Sequence, residues 1–483
     1  MKTKIGKNGI FWLILFIFCI LSCTFSKPLF LRPDATLYYS FIRSLYFDGD
    51  LFFLNEYDHL NVDPQWYFLT PTGYLGNPHS VGVSVLLYPF FVVGDVFTII
   101  SRLLGYDLLR DGYSFFYTFF VQFGSRLYFF AGILIFFPLL NKMFGKRSSI
   151  MALLLIWIFS PVGFQFMLTP TMSHLCSFFT VTFFISAWDR SRDNRNLTDW
   201  LTLGLAIGFM TMIRINNILF TVILLIEYVF DKKKRIENFK PVGIFICAVA
   251  ALTTFSPQLA VWKILSGSWI WLIEGNLIRF SDNNLHLSLF SAYHGLFSWT
   301  PLLLICFIGF RRALQKDSCM TMGLFIVFIM QLILIGFLSN WWADLSFGNR
   351  FFINVLPLFI LLLGASFNSI SWKLLIPLIG VSCIWTSGLF VLVISRIIDL
   401  NFFYPYPDLI KLWLKIPILY NPFFHNLWSF FSYSSCLLTI FIVILISIGR
   451  ILFIRYSPYL QFKLWCILGF VTCFGVLIVM FFQ

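Results

Sequence analysis

The stretch Leu374–Ser395, LLIPLIGVSCIWTSGLFVLVIS, contains no charged side chain. An apolar run of this length can cross roughly 30 Å of hydrocarbon. Comparable runs recur along the chain, at Ile10–Cys23, Leu127–Leu140 and Pro241–Trp262. Because lipid offers the backbone no hydrogen-bond partner, we expect each run to be an α-helix. The pattern predicts an all-α, polytopic membrane protein.

The composition supports this class. Of 483 residues, 59% are hydrophobic and 11% are charged, whereas a soluble domain carries about a quarter charged residues. The net charge of +13 comes from short Lys and Arg clusters between apolar runs, which is typical of cytoplasmic loops. We therefore expect membrane lipids as partners and no nucleic acid.

The ten cysteines are scattered singly, without the paired spacing of a metal site or a disulfide framework. The segment ending at Cys23 follows a basic start and resembles a lipoprotein cleavage site. The same run also serves as an uncleaved membrane helix, so both interpretations stay open.

The basic clusters orient the crossings when they are placed in the cytoplasm. They are the N-terminus and residues 142–147, 190–195, 232–235, 311–316 and 450–455. Three apolar runs precede Lys142, so one must not cross; we expect this to be 81–101, which Pro89, Gly94 and Asp95 interrupt. That run would be an interfacial helix within the outer loop 27–112. About thirteen crossings follow, with the N-terminus cytoplasmic and an active site on the outer face.

The remaining outer loops predicted in this way are 263–292, 339–349 and 397–425. Two short spans, Trp200–Ile213 and Asn216–Phe230, would meet outside near Arg214, and two others near 169–171. We assign residues 1–396 to one transmembrane module and 397–483 to an outer loop with C-terminal transmembrane helices.

Several polar residues in these outer regions are candidates for chemistry. Arg214 would need an anionic partner or a water-filled cavity, and its guanidinium suits bidentate phosphate binding; snorkelling to the headgroups is the alternative. Arg126 raises the same question within its apolar run. Arg350 lies in an outer segment beside an interfacial Trp pair. The first loop is the most polar region, and its carboxylates fit either a general base or a solvated turn. The other candidates are His79, His174, His294, Glu56 and Asp344.

Several segments together resemble the GT-C-fold membrane glycosyltransferases of bacteria, specifically the glycosyltransferase 39 and RgtA/B/C/D-like group. They are RPDATLYYSFIRSLYFDGDLFFLNEY (32–57), GNPHSVGVSVLLYPFFVVG (76–94), LTPTMSH (168–174), FSPQLAVWKILSGSWI (255–270), HGLFSWTPLLL (294–304) and ADLSFGNRFFINVLPLF (343–359). The resemblance implies a GT-C-like fold over most of the chain, with juxtamembrane helices in the first outer loop.

The resemblance also implies an activity: transfer of a sugar from a polyprenyl-phosphate carrier to a lipid, glycan or protein acceptor, outside the bacterial cytoplasmic membrane. Lipopolysaccharide is among the cell-envelope acceptors. The family's acidic pair in the first outer loop is here Asp34-Ala35, so Asp34 alone is the implied base. No metal ligand is predicted, although a divalent cation stays open.

The same resemblance assigns roles to the other candidates. Arg214 and Arg350 would bind the donor phosphate and stabilise it as it leaves, and a single displacement would invert the anomeric centre. His174, His294, His79 and Arg126 would line the cavity. Glu56 and Asp344 would contact sugar hydroxyls.

Three other functions stay open. An O-antigen polymerase or ligase would share the membrane setting but join whole glycans. A secondary transporter is disfavoured, because the chain shows no internal repeat and its polar residues lie in outer loops. A non-catalytic scaffold remains an alternative because the second acidic residue is missing.

Overall fold

The computed structural model describes residues 33–62, 67–230, 236, 238–271, 278–279, 281 and 283–415. The predicted span Ile10–Cys23, the Cys23 site and the crossings after residue 415 lie outside these residues. In the described part, β-structure is limited to isolated bridges, at Leu69 with Leu75 and at Ile278 with Leu338. The all-α prediction is confirmed.

The helices of the first half are numbered in chain order. They are α1 (Pro33–Arg43), α2 (Leu54–His59), α3 (Gly82–Leu103), α4 (Phe115–Phe144), α5 (Lys146–Ile158), α6 (Pro161–Leu168), α7 (Ser173–Ser191), α8 (Leu197–Ile213) and α9 (Val222–Phe230). A 3-10 helix, Ile215–Thr221, precedes α9, and a π-helical turn, Ser44–Asp48, follows α1.

The second half continues with shorter and more broken elements. They are α10 (Pro241–Ser266), α11 (Leu285–Phe290), α12 (Leu296–Trp299), α13 (Leu302–Ile305), α14 (Phe310–Lys316), α15 (Ser318–Gly336), α16 (Leu356–Ser366), α17 (Trp372–Ile394) and α18 (Tyr406–Leu414). The 3-10 helices are Cys306–Gly309 and Arg350–Val355.

The described residues form two compact units that divide between Thr386 and Ser387. In the second unit, the Trp413 ring lies against Gly388, where a Cβ atom would come within 1.9 Å of the indole nitrogen. The predicted boundary between residues 396 and 397 stays a prediction.

Five of the described helices are long and apolar enough to cross a membrane: α3, α4, α10, α15 and α17. The pair α5 and α6, bent by 64°, would be a sixth span. The chain is therefore a multi-pass membrane protein, whereas the number of thirteen crossings stays a prediction.

Helix α3 packs antiparallel to the first half of α4. The Tyr128 hydroxyl donates to the carbonyl of Leu86 (3.1 Å), and Gly94 lies against the backbone of Phe116 and Tyr117. Ser125 donates to the carbonyl of Pro170, so the part of α4 before Ser125 extends beyond the turn between α6 and α7. This packing fits the interfacial position expected for 81–101 and a crossing equally well, since α3 is long and apolar enough to cross, so its position stays a prediction.

The break expected near Arg214 is confirmed. An Asn196 and Asp199 capping box starts α8, and the backbone of Arg214 is extended (φ −150°, ψ 125°) before the next helix begins. Helix α10 packs closely against α8 at Gly204 and Gly208. A Cβ atom at these two positions would come within 2.3 and 2.5 Å of carbonyl oxygens of α10. Small residues with this spacing are typical of membrane helix contacts.

An ion pair holds the first outer loop together. Arg43 at the end of α1 donates to Glu56 in α2 (2.7 Å) and also pairs with Asp48. The Glu56 side chain is fully buried, and its second carboxylate oxygen has no hydrogen-bond partner among the described residues. Burial raises the pKa of Glu56 to about 7, although the hydrogen bond from Arg43 opposes this shift.

Glu56 predicts a pH-dependent stability. Between its ordinary pKa and about 7, the folded state holds a proton that the unfolded chain has lost, so this carboxyl destabilises the fold as pH rises through that window. Glu56→Gln removes the titration. We expect the Tm of the Gln variant minus that of the native protein, both measured in detergent, to increase by a few degrees from pH 5 to pH 8. A Tm difference that stays constant from pH 5 to pH 8 would contradict the raised pKa of Glu56.

Candidate active site

The ends of several elements bring predicted site residues together. Asp34 lies in the first turn of α1, His79 precedes α3, and His174 opens α7. Arg214 follows α8, whereas Asp344 and Arg350 lie in the segment between α15 and α16. Residues far apart in the chain therefore form one cluster, which we call the outer site after the face of the membrane that the sequence predicts for it.

Asp34 is the acidic centre of the outer site. Its Oδ2 lies 3.0 Å from Nη2 of Arg350, and its Oδ1 lies 3.9 Å from Nε2 of His79. The side chain is 25% exposed. Burial alone would raise the pKa of Asp34, but the charges of Arg350 and His79 outweigh it and hold the pKa below its ordinary value. The carboxylate is therefore ionised at neutral pH and accepts rather than donates a proton.

Two guanidinium groups flank a single aromatic ring beside Asp34. The Cζ atoms of Arg214 and Arg350 each lie 5.9 Å from the ring centroid of Phe351. Arg214 also donates to the Ser173 hydroxyl (3.2 Å) and lies 3.2 Å from Nδ1 of His174. The charges of both arginines also lower the pKa of Asp34, so two guanidinium groups act on one part of the outer site, and guanidinium groups suit a phosphate group.

Asp344 completes the outer site from a strained loop. It lies 3.9 Å from Arg350, and its side chain is 52% exposed. Burial raises the pKa of Asp344, and the Asp34 charge adds to this effect, while Arg350 opposes it. Both Ala343 (φ 62°) and Asp344 (φ 51°) have left-handed backbones, a conformation that costs about 1–3 kcal/mol for a non-glycine residue and is often found at functional sites.

Three other predicted residues make different contacts. Glu56 pairs with Arg43, as described above. The buried guanidinium of Arg126 donates to the carbonyls of Phe166 (3.0 Å) and Met167 (3.3 Å) at the C-terminal end of α6. His294, also buried, lies 3.1 Å from the carbonyl of Trp342 through Nδ1, so it contacts the loop that presents Asp344. The roles expected for these residues stay predictions.

Several polar residues that adjoin the outer site were not assigned a role from the sequence. Asn216 accepts from Nε of Arg214 (3.4 Å) and donates to Gln331 (3.0 Å). Tyr38 stacks on His79, with ring centroids 4.6 Å apart. Gln331 carried a usable signal, since an amide within the apolar run FIMQLILIG must find a hydrogen-bond partner inside the bundle.

No group of three or more His, Cys, Asp or Glu side chains is arranged to hold a metal ion among the residues that the structure describes. The carboxylate of Asp34 is engaged instead with an arginine and a histidine. The divalent cation left open by the sequence therefore gains no candidate ligand set in this part of the chain.

The fold is that of the GT-C membrane glycosyltransferases, as the sequence resemblance predicted. Residues 116–262 match the model of the family described as dolichyl-phosphate-mannose-protein mannosyltransferase. The structure of ArnT from Cupriavidus metallidurans bound to undecaprenyl phosphate superposes with a TM-score of 0.56 at 12% identity, over 93% of this chain and 73% of that one. The apo state of the same ArnT gives 0.56 at 11% identity, over 92% and 73%. No curated protein matches the sequence significantly.

The contacts of Arg126 predict a structural role. Replacing Arg126 by Met leaves the α6 carbonyls without their donor in a buried site, which costs roughly 1–3 kcal/mol. We expect a clear fall in Tm in detergent. Arg214→Met, which removes a half-buried guanidinium from the outer site, is the matched comparison and should change Tm far less. Equal effects of the two changes would contradict the capping role.

Proposed function

We propose that the protein transfers a sugar from a polyprenyl-phosphate donor to an acceptor hydroxyl on the outer face of the bacterial cytoplasmic membrane. The observation that carries the proposal is the outer site itself, in which Asp34 lies against Arg350 while Arg214 and Arg350 flank Phe351. The GT-C fold and the undecaprenyl phosphate bound to ArnT support it.

The donor phosphate would bind to Arg214 and Arg350. The donor phosphate is a diester with one negative charge, like the carboxylate that now pairs with Arg350, and it gains a second charge as the sugar leaves; a guanidinium binds it through two parallel hydrogen bonds. Donor binding would therefore compete with Asp34 for Arg350 and leave the Asp34 carboxylate available. The lipid tail would remain in the membrane beside the site.

The transfer itself is a single displacement. Asp34 accepts the proton of the acceptor hydroxyl as its oxygen attacks the anomeric carbon from the face opposite the phosphate. The bond between the anomeric carbon and the phosphate oxygen breaks, and its electron pair remains on the phosphate. Arg214 and Arg350 stabilise the charge that develops there. The product has inverted configuration, and the polyprenyl phosphate is released.

Asp34→Asn keeps the size of the side chain but removes the base. We expect transfer to fall by at least about a hundredfold, in line with the loss of a general base, while the protein still folds. The measurement is mass spectrometry of glycolipids and surface polysaccharide from a deletion strain complemented with each variant. Asp107→Asn, which changes an exposed carboxylate of the same outer loop, is the control and should restore the native products.

The products also separate the proposal from its alternatives. Addition of one sugar mass, with polyprenyl-phosphate sugar accumulating in the deletion strain, fits the transferase. Addition of a whole glycan would indicate a polymerase or ligase. Full activity of Asp34→Asn would exclude Asp34 as the base.

Arg214→Gln and Arg350→Gln should weaken donor binding. Each change removes a charged hydrogen-bond donor to phosphate, a contact worth about 1.5–3 kcal/mol, so we expect the KM for the donor to rise by roughly tenfold or more. The exposed Arg102→Gln is the control. An unchanged donor KM in both site variants would place the phosphate elsewhere.

A further inference from the structure

Gln331 is a buried amide in the last third of a helix that is long and apolar enough to span a membrane. It lies in α15, where its side chain is 2% exposed and its neighbours in the sequence are apolar. Both ends of the amide are used: Oε1 accepts from Asn216 (3.0 Å), and Nε2 donates to the carbonyl of Phe351 (3.2 Å). Because so little of the side chain is exposed to solvent, these two contacts determine its orientation.

The two partners of Gln331 each adjoin one arginine of the outer site. Asn216 accepts from Nε of Arg214 through its own side-chain oxygen (3.4 Å). Phe351 follows Arg350 in the chain, and its ring is the one that both guanidinium groups flank. One amide therefore joins the backbone segment of Arg350 to the side chain of Arg214.

A second set of amides links the same two segments, which follow Arg214 and Arg350 in the chain. Asn354 donates to the side-chain oxygen of Asn217 (3.2 Å) and lies 3.5 Å from Oε1 of Gln331. Asn217 in turn donates to Ser177 in α7 and to the carbonyl of Met210 in α8 (both 2.9 Å). These side-chain amides form a layer that connects α7, α8, α15 and the 3-10 helices Ile215–Thr221 and Arg350–Val355.

The local backbone explains why such a layer is needed. Arg214 and Arg350 each adjoin a short 3-10 helix, Ile215–Thr221 and Arg350–Val355. A 3-10 helix has poorer hydrogen-bond geometry than an α-helix and is less rigid. Two like-charged guanidinium groups also repel each other when no anion lies between them. Hydrogen bonds from side-chain amides can restrict the movement of the 3-10 helices and oppose the repulsion between the two arginines.

We infer that Gln331 is a positioning residue that sets the separation of Arg214 and Arg350, so that both guanidinium groups meet one phosphate of the lipid donor. The inference rests on the proposed function and adds to it a residue that touches neither substrate. Its role is to lower the cost of bringing the two arginines together when the donor binds.

Gln331→Met tests this role with little change in side-chain shape. We expect donor KM and the Kd for undecaprenyl phosphate on the purified full-length protein to rise roughly tenfold, as for the loss of one buried hydrogen bond, with acceptor KM unchanged. Thr321→Val is the control: it lies in the same helix and is fully buried, and its hydroxyl has no hydrogen-bond partner in the part of the chain that the structure describes. Asn216→Ala, at the other end of the same bond, should reproduce the effect if Gln331→Met fails to fold.

A double-mutant cycle separates positioning from simple loss of stability. In an Arg214→Gln background, Gln331→Met should cause little further rise in donor Kd, because the arginine that it positions is gone. Additive effects, or a native donor Kd in Gln331→Met and Asn216→Ala, would overturn the inference while leaving the transferase intact. A native protein that neither binds undecaprenyl phosphate nor transfers sugar would overturn both.

Discussion

The ion pair between Asp34 and Arg350 connects two elements that are more than 300 residues apart in the chain. Asp34 stands at the start of the first described helix, and Arg350 begins the 3-10 helix before α16. Charges this close to hydrocarbon remain only when they are paired. The pair therefore requires the first outer loop and the 339–349 loop to occupy the same face, and the surrounding residues are arranged to keep both groups there: His79 beside the carboxylate, and Phe351 and Asp344 beside the guanidinium.

The sequence predicted the parts of the fold that depend on local physics. Apolar length predicted the membrane helices, and a lone arginine between two short apolar runs predicted the break at Arg214. Arg214 and Arg350 were named as candidates because charges next to membrane helices are rarely incidental, and Asp34 was named through the family resemblance. Their contacts with one another depend on the packing of α1, α8 and α16, which no local pattern in a single sequence specifies.

The same limit explains what the sequence did not provide. Glu56 is a polar residue of an outer loop by its position, yet the turn of the chain after α1 buries it against Arg43. Arg126 was expected to line a cavity because it is a charge within an apolar run, yet the end of α6 supplies carbonyls within its reach. The sequence indicated that Gln331 needs a hydrogen-bond partner. It did not indicate which residue that partner is, because both partners lie in other segments of the chain.

Helix α8 is one of the predicted crossings, and its length predicts an effect on the surrounding bilayer. With 17 residues, it is about 25 Å long, a few Å shorter than the hydrocarbon thickness of a typical membrane. Such hydrophobic mismatch is relieved by local thinning of the bilayer. Lipid headgroups beside α8 would then lie deeper than elsewhere, near the level of Arg214 at the end of the helix. The protein would in this way shape the leaflet through which a lipid-borne substrate arrives.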